Sequence, residues 1–189
     1  MNVAAPDFFE PAVGWRTWLV VEDAGCLLLR SVVFKISWPP GQELAADCEH
    51  PPRRLLSRPW HRKLAHEAPS VNCECGIYAT KNVERAARYL DGYDHLLERV
   101  RHRVLGRVRL WGSVVETEFG WRASHAYPAY IYVPTHRANG RRVNADDVAL
   151  ELASYGVPVE IVRGGSETMR ARSHETSHMR HGTRDARGE

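Results

Sequence analysis

No stretch of this sequence approaches the roughly 18 consecutive apolar residues of a membrane-spanning helix, so no membrane role is expected. The opening residues, MNVAAPDFFEPAVGW, have neither a basic segment nor an apolar core, which excludes a secretory signal there. Cysteine is scarce, with four residues at positions 26, 48, 73 and 75. That is too few for a disulfide scaffold in a chain of 189 residues, and a cytoplasmic, reducing setting is expected. A dominant charge is also lacking: 26 Lys and Arg stand against 23 Asp and Glu, a net charge of +3. The densest basic runs, Arg58–Lys63 and Glu98–Arg109, fall short of the continuous stripe of a nucleic-acid binder, so nucleic acid is not the expected main partner. No segment repeats internally.

What is present suits one domain. A hydrophobic share of 43% over this length can bury a core without covalent staples. Residues 1–13 read as a flexible lead-in, 14–163 as a single domain and 164–189 as a disordered tail. The tail carries five arginines, three histidines and four acids with almost nothing apolar.

Within the domain, β-branched and apolar runs predict strands over Trp15–Val21, Cys26–Ile36, Gly76–Ala79, Val104–Glu118, Arg122–Val133 and Val157–Val162. Apolar spacing at i, i+3, i+4 and i+7 predicts a helix over Asn82–Leu90 capped by Thr80, with a further turn at His95–Arg101. A second helix, Ala145–Tyr155, starts from Asn144 and stops at Gly156. About six strands in neighbouring runs, with two or three helices, predict an α+β fold on a mainly antiparallel, curved sheet. Residues 42–70 form a long irregular loop with four prolines, and a loop of that length needs a tie or a task.

That loop is flanked by the chemistry. Cys48 and His50 stand near its start, His61 and His66 near its end, and Cys73-Glu-Cys75 follows. Zinc prefers four thiolate or imidazole ligands in a tetrahedron, and the best set is Cys48, Cys73 and Cys75 with His66 or His50. Gly76 can supply the bend that lets thiols at i and i+2 meet one ion. Two other readings stay open: small buried thiols, or a redox pair. A zinc ion with four protein ligands would be structural.

Glu116 and Glu118 form the one acidic pair placed to suggest acid–base catalysis, near the end of a strand. With a loop at Phe119-Gly120-Trp121, Glu116 would face Arg122 across the hairpin, so Arg122 joins the catalytic candidates. A cross-strand ion pair is the competing explanation. Trp15, Trp18, Trp111 and Trp121 could wall an aromatic pocket, or fill the core.

The segments GWRTW, CECGIYA and LWGSVVETEFGWRASHAYP resemble a group of small uncharacterised actinobacterial proteins. These share G-W/Y-R, C-x-C-G-I-Y-A and W-G-x-V-x-E-x-x-x-G-W/Y-R-A, over about residues 14–133 here. The resemblance implies a site around Cys73, Cys75, Gly76, Trp111, Gly112, Glu116, Gly120, Trp121 and Arg122, and implies no activity. Gly76–Ala79 and Glu116–Glu118 are also similar to segments of ADP-ribosyltransferases. The chain departs from those enzymes in lacking an early His or Arg in an R-G or H-G strand motif.

Three functional expectations follow. The first is a binding or regulatory module for a small-molecule or protein ligand, its long loop clamped by structural zinc. The second is an enzyme using Glu116 or Glu118. The third is a weak nucleic-acid binder using Arg58–Lys63, Arg99–Arg109 and the tail.

Overall fold

A computed structural model describes residues 10–48, 66–91, 100–135 and 144–164. Eight strands, β1 (Ala12–Asp23), β2 (Cys26–Ser31), β3 (Ser37–Trp38), β4 (Leu44–Ala45), β5 (Ile77–Thr80), β6 (Val100–Thr117), β7 (Gly120–Pro134) and β8 (Val159–Val162), share one sheet. Two helices complete the domain, α1 (Val83–Ala87) and α2 (Ala145–Leu152), each running on into a short 3-10 turn. All the strand pairs are antiparallel except β7 with β8, so the sheet is mixed. The α+β class holds, and the parallel strand departs from a wholly antiparallel sheet.

Strand β7 organises the sheet. One edge pairs with β6 along nearly its whole length. The other edge takes three short strands in succession: β5 against 120–123, β4 against 125–126 and β8 against 131–134. Strand β1 pairs with β6 on one side and with β2 on the other. The single pair Trp15 with Thr80 then joins β1 to β5 and closes a ring of β1, β6, β7 and β5.

Alternation of side chains puts different residues on the two faces of this ring. Trp18 and Val20 of β1 join Val104, Val108, Ile131 and Val133 in the main core, under Val148 and Leu152 of α2. Trp18 is fully buried and meets Trp38 edge to face, with ring centroids 5.5 Å apart. On the opposite face Thr17 Oγ1 donates to Ala86 O at 2.6 Å, and α1 buries Val83, Ala86 and Ala87 against Leu105. Each helix therefore shields one side of the sheet.

The junctions are closed by side chains. Arg16 reaches across the gap where β2 and β5 share the edge of β1, donating to Tyr78 O and to Ser31 Oγ. Tyr155 accepts from Leu29 N at 2.8 Å and donates to Trp38 O, and Glu151 accepts from Leu27 N at 3.0 Å. These bonds occupy backbone groups of β2 and β3 that would otherwise leave a sheet edge open. Gly120 sits where a Cβ would come within 2.0 Å of Ala79 O, so only glycine allows β5 this close to the hairpin.

Several expected boundaries move. Strand β1 begins at Ala12, inside the expected lead-in. The run Cys26–Ile36 does not stay one strand: β2 stops at Ser31, whose N–H turns to Ile36 O, and the chain returns as β3 beside Leu29. Helix α1 is capped by Asn82 rather than Thr80, because Asn82 Oδ1 accepts from Glu84 N and Arg85 N. Thr80 instead belongs to β5. Asn144 precedes α2 as expected, but its side chain bonds Asp147 rather than the helix backbone. Val100 and Arg101 lie in β6, not in a helical turn, and the rest of that expected turn lies outside the described residues. So do His50, His61, the run Arg58–Lys63 and all but the first residue of the expected tail. No helix among the described residues is long and apolar enough to cross a membrane.

Candidate metal centre

The edge of β7 explains why distant cysteines meet. Strands β4 and β5 both run antiparallel to β7 and occupy adjacent stretches of its edge. The chain leaving β4 continues toward Ser124, with Ala46 N donating to Ser124 O at 2.7 Å, and Cys48 follows two residues later. The chain entering β5 passes the same place, with Ile77 opposite Ala123. Cys48 is thereby brought to Cys73 and Cys75, distant from it in sequence.

The segment before β5 is shaped to present its sulfurs. Cys73 N donates to Ser70 O at 3.1 Å, forming a tight turn. Gly76 follows with φ +116, and a Cβ there would press on Pro69 Cβ at 3.0 Å and Arg122 Cβ at 3.2 Å. Both the backbone angle and the crowding call for glycine directly after the second thiol, where the chain bends into β5.

Four ligand atoms converge here: the sulfurs of Cys48, Cys73 and Cys75 and a ring nitrogen of His66 all lie within 4.8 Å of one another. Cys48 Sγ and Cys73 Sγ are 3.7 Å apart, and His66 Nε2 is 3.3 Å from Cys75 Sγ. A tetrahedron with metal–sulfur bonds of about 2.3 Å has sulfur–sulfur edges of about 3.8 Å. The Cys48–Cys73 separation matches that edge and is far too long for the roughly 2.05 Å of a disulfide. The four side chains form a Cys3His cluster that could hold a metal ion. His66 is the histidine of this cluster among the described residues, and the alternative His50 lies outside them.

At Cys73 the electrostatics lean toward thiolate. The backbone N–H of Cys75 donates to Cys73 Sγ and, with Cys48 and His66 beside it, lowers that thiol to about 6 against the opposing effect of burial. Burial pushes the neighbouring Cys75 thiol up. A bound cation would favour the deprotonated form of all three.

Arg122 completes the centre from β7. It is 8% exposed, and its Nη1 donates to Cys75 O at 3.1 Å and to Cys73 O. Its guanidinium also lies 5.9 Å from the Tyr78 ring centroid. The one cation thus fastens two carbonyls of the cysteine turn to the sheet. Sequence spacing singled out Arg122 as a partner for Glu116, and this bracing role was missed. Its signal was its register position beside β5, which emerges only once the hairpin is formed.

The carboxylates lie elsewhere. The β6–β7 turn has two residues, Glu118 and Phe119, so Glu116 pairs with Trp121 and Val115 with Arg122. The expected Glu116–Arg122 pairing is wrong by one position, because Gly120 belongs to β7 rather than to the loop. Glu116 is 60% exposed and pairs with Lys81 Nζ at 2.5 Å. The tryptophans also part company. Trp18 is core, Trp15 stacks on Tyr132, Trp111 stacks on His125, and Trp121 lies under Lys81. They do not wall one pocket. Cys26 is exposed beside the β1–β2 turn, away from this cluster.

Comparisons with protein-family models, with curated proteins and with solved structures find no match to this chain.

Proposed function

We propose that this protein is a binding or regulatory module whose long loop is clamped to its sheet by a structural zinc ion held by Cys48, His66, Cys73 and Cys75. The observation that carries the reading is the convergence of three sulfurs and one imidazole within 4.8 Å. Soft thiolates with one imidazole favour zinc over the oxygen-seeking cations. Four protein ligands leave no open position for a water or substrate, which is the pattern of a structural site.

The energetic logic favours a clamp. Tying Cys48 to His66 closes a loop of about 20 residues, and a cross-link of that span is worth ~3 kcal/mol through the entropy it removes from the unfolded chain. Zinc would also neutralise like-charged thiolates that would otherwise crowd together. Arg122 holds the Cys73–Cys75 turn in the shape the ion needs before it arrives.

Limited proteolysis of the full chain with and without a zinc chelator tests the clamp. Chelation should open cleavage between 49 and 65 while β1, β6 and β7 resist, and zinc should restore protection. Equal cleavage in both conditions would refute the clamp.

A further inference from the structure

Resting on the zinc-clamp reading, we propose that the clamp is redox-gated: a peroxide joins Cys48 to Cys73 as a disulfide, which expels the metal and frees the His66 arm. Three observations support this. The Cys48 and Cys73 sulfurs are 3.7 Å apart, so a movement of about 1.7 Å brings them to bonding distance. Both side chains are half-buried at the surface, within reach of a small oxidant, whereas Cys75 is 6% exposed and faces His66 Nε2. The turn carrying Cys73 and Cys75 is fixed by Arg122 at both carbonyls, which opposes the distortion needed to join neighbours at i and i+2.

The chemistry balances with hydrogen peroxide as the oxidant. One thiolate attacks a peroxide oxygen; its S–O bond forms as the O–O bond breaks, and hydroxide leaves to become water. The second thiolate attacks that sulfur; the S–S bond forms, the S–O bond breaks, and a second hydroxide leaves. Two thiolates have lost two electrons, and the peroxide has gained them. Cys75 and His66 then remain as two ligands where zinc needs four, and the metal departs.

The two states differ in one place. In the zinc state Cys48 and His66 are both held by the ion. In the disulfide state Cys48 still ties the exit of β4 to the entry of β5, while His66 has lost its partner ion. Peroxide would therefore release His66 and leave the exit of β4 covalently fastened to the entry of β5.

The test uses the full chain carrying Cys26→Ser, which removes the exposed cysteine outside the cluster. Zinc-loaded protein is treated with one equivalent of hydrogen peroxide; a chromogenic chelator reads metal release and peptide mass spectrometry reads disulfide pairing. Release of about one equivalent of zinc, in step with a Cys48–Cys73 disulfide and reversed by dithiothreitol with added zinc, is expected. Metal retained after peroxide, or a disulfide joining Cys73 to Cys75, overturns the gating and leaves the clamp standing. A chain that holds no zinc before peroxide is added overturns both.

Discussion

Replacing Arg122 with alanine separates a structural brace from a catalytic cation. Arg122 is nearly buried, and its guanidinium donates to two carbonyl oxygens of the cysteine turn. Hydrogen bonds from a charged donor contribute ~1.5–3 kcal/mol each, and removing the donor leaves both carbonyls short of a partner. The expected destabilisation is therefore about 3–5 kcal/mol, read by urea unfolding as a lower midpoint with an unchanged slope. Zinc affinity, measured by competition with a calibrated chelator, should fall as well, because the turn is no longer held for the ion. Lysine at this position keeps the charge but not the fork, so it should recover only part of either quantity. If Arg122→Ala unfolds at the wild-type midpoint and binds zinc with wild-type affinity, the brace does not exist.

Tyr155→Phe should cost about 1–3 kcal/mol in urea unfolding, since it removes one donor to Trp38 O and strands the Leu29 N–H. Burial pushes the Tyr155 phenol up to about 12. Its unfolded value is near 10, so its stabilising contribution is whole below pH 10 and is lost as pH rises toward 12. The wild type should therefore lose stability across that window more steeply than Tyr155→Phe, and parallel curves would contradict the assignment. Glu116→Gln removes only an exposed ion pair with Lys81 and should change stability by less than ~1 kcal/mol. A large loss would mean that Glu116 has a structural duty beyond that pair. Gly120→Ala should be costlier than the usual surface change, above ~2 kcal/mol, because its Cβ would meet Ala79 O. A wild-type midpoint for that variant would show that the approach of β5 is looser than drawn.

The parts of the fold that could be read from sequence are those set by local pattern. The apolar, β-branched run Trp15–Val21 is a strand buried on both faces from Thr17 to Val21, and Asn82–Leu90 has the spacing of a helix face. The candidate cluster was legible for another reason: thiols and imidazoles gathered in a few positions of a cysteine-poor chain are the residue types a metal site uses. Spacing alone left His66 and His50 as alternatives, and the docking of β4 and β5 along β7 puts Cys48 beside His66, Cys73 and Cys75. The failures share a cause. One residue of turn length separates Glu116 facing Arg122 from Glu116 facing Trp121, and a one-residue slip changes every partner beyond it. Likewise Ser31 could continue a strand or turn back, and only the return of Trp38 to the core decides it. The parallel docking of β8 is set by the edge of β7, not by anything in Val159–Val162 itself.

The central claim is that three thiolates and one imidazole hold a single zinc ion. Elemental analysis of chain purified without chelator, with X-ray absorption at the zinc edge on the same sample, addresses it most directly. About one zinc per chain is predicted, with three sulfurs at about 2.3 Å and one nitrogen at about 2.0 Å, and Cys73→Ser should lose the metal. Less than about 0.2 zinc per chain, or a shell dominated by oxygen, would contradict the account.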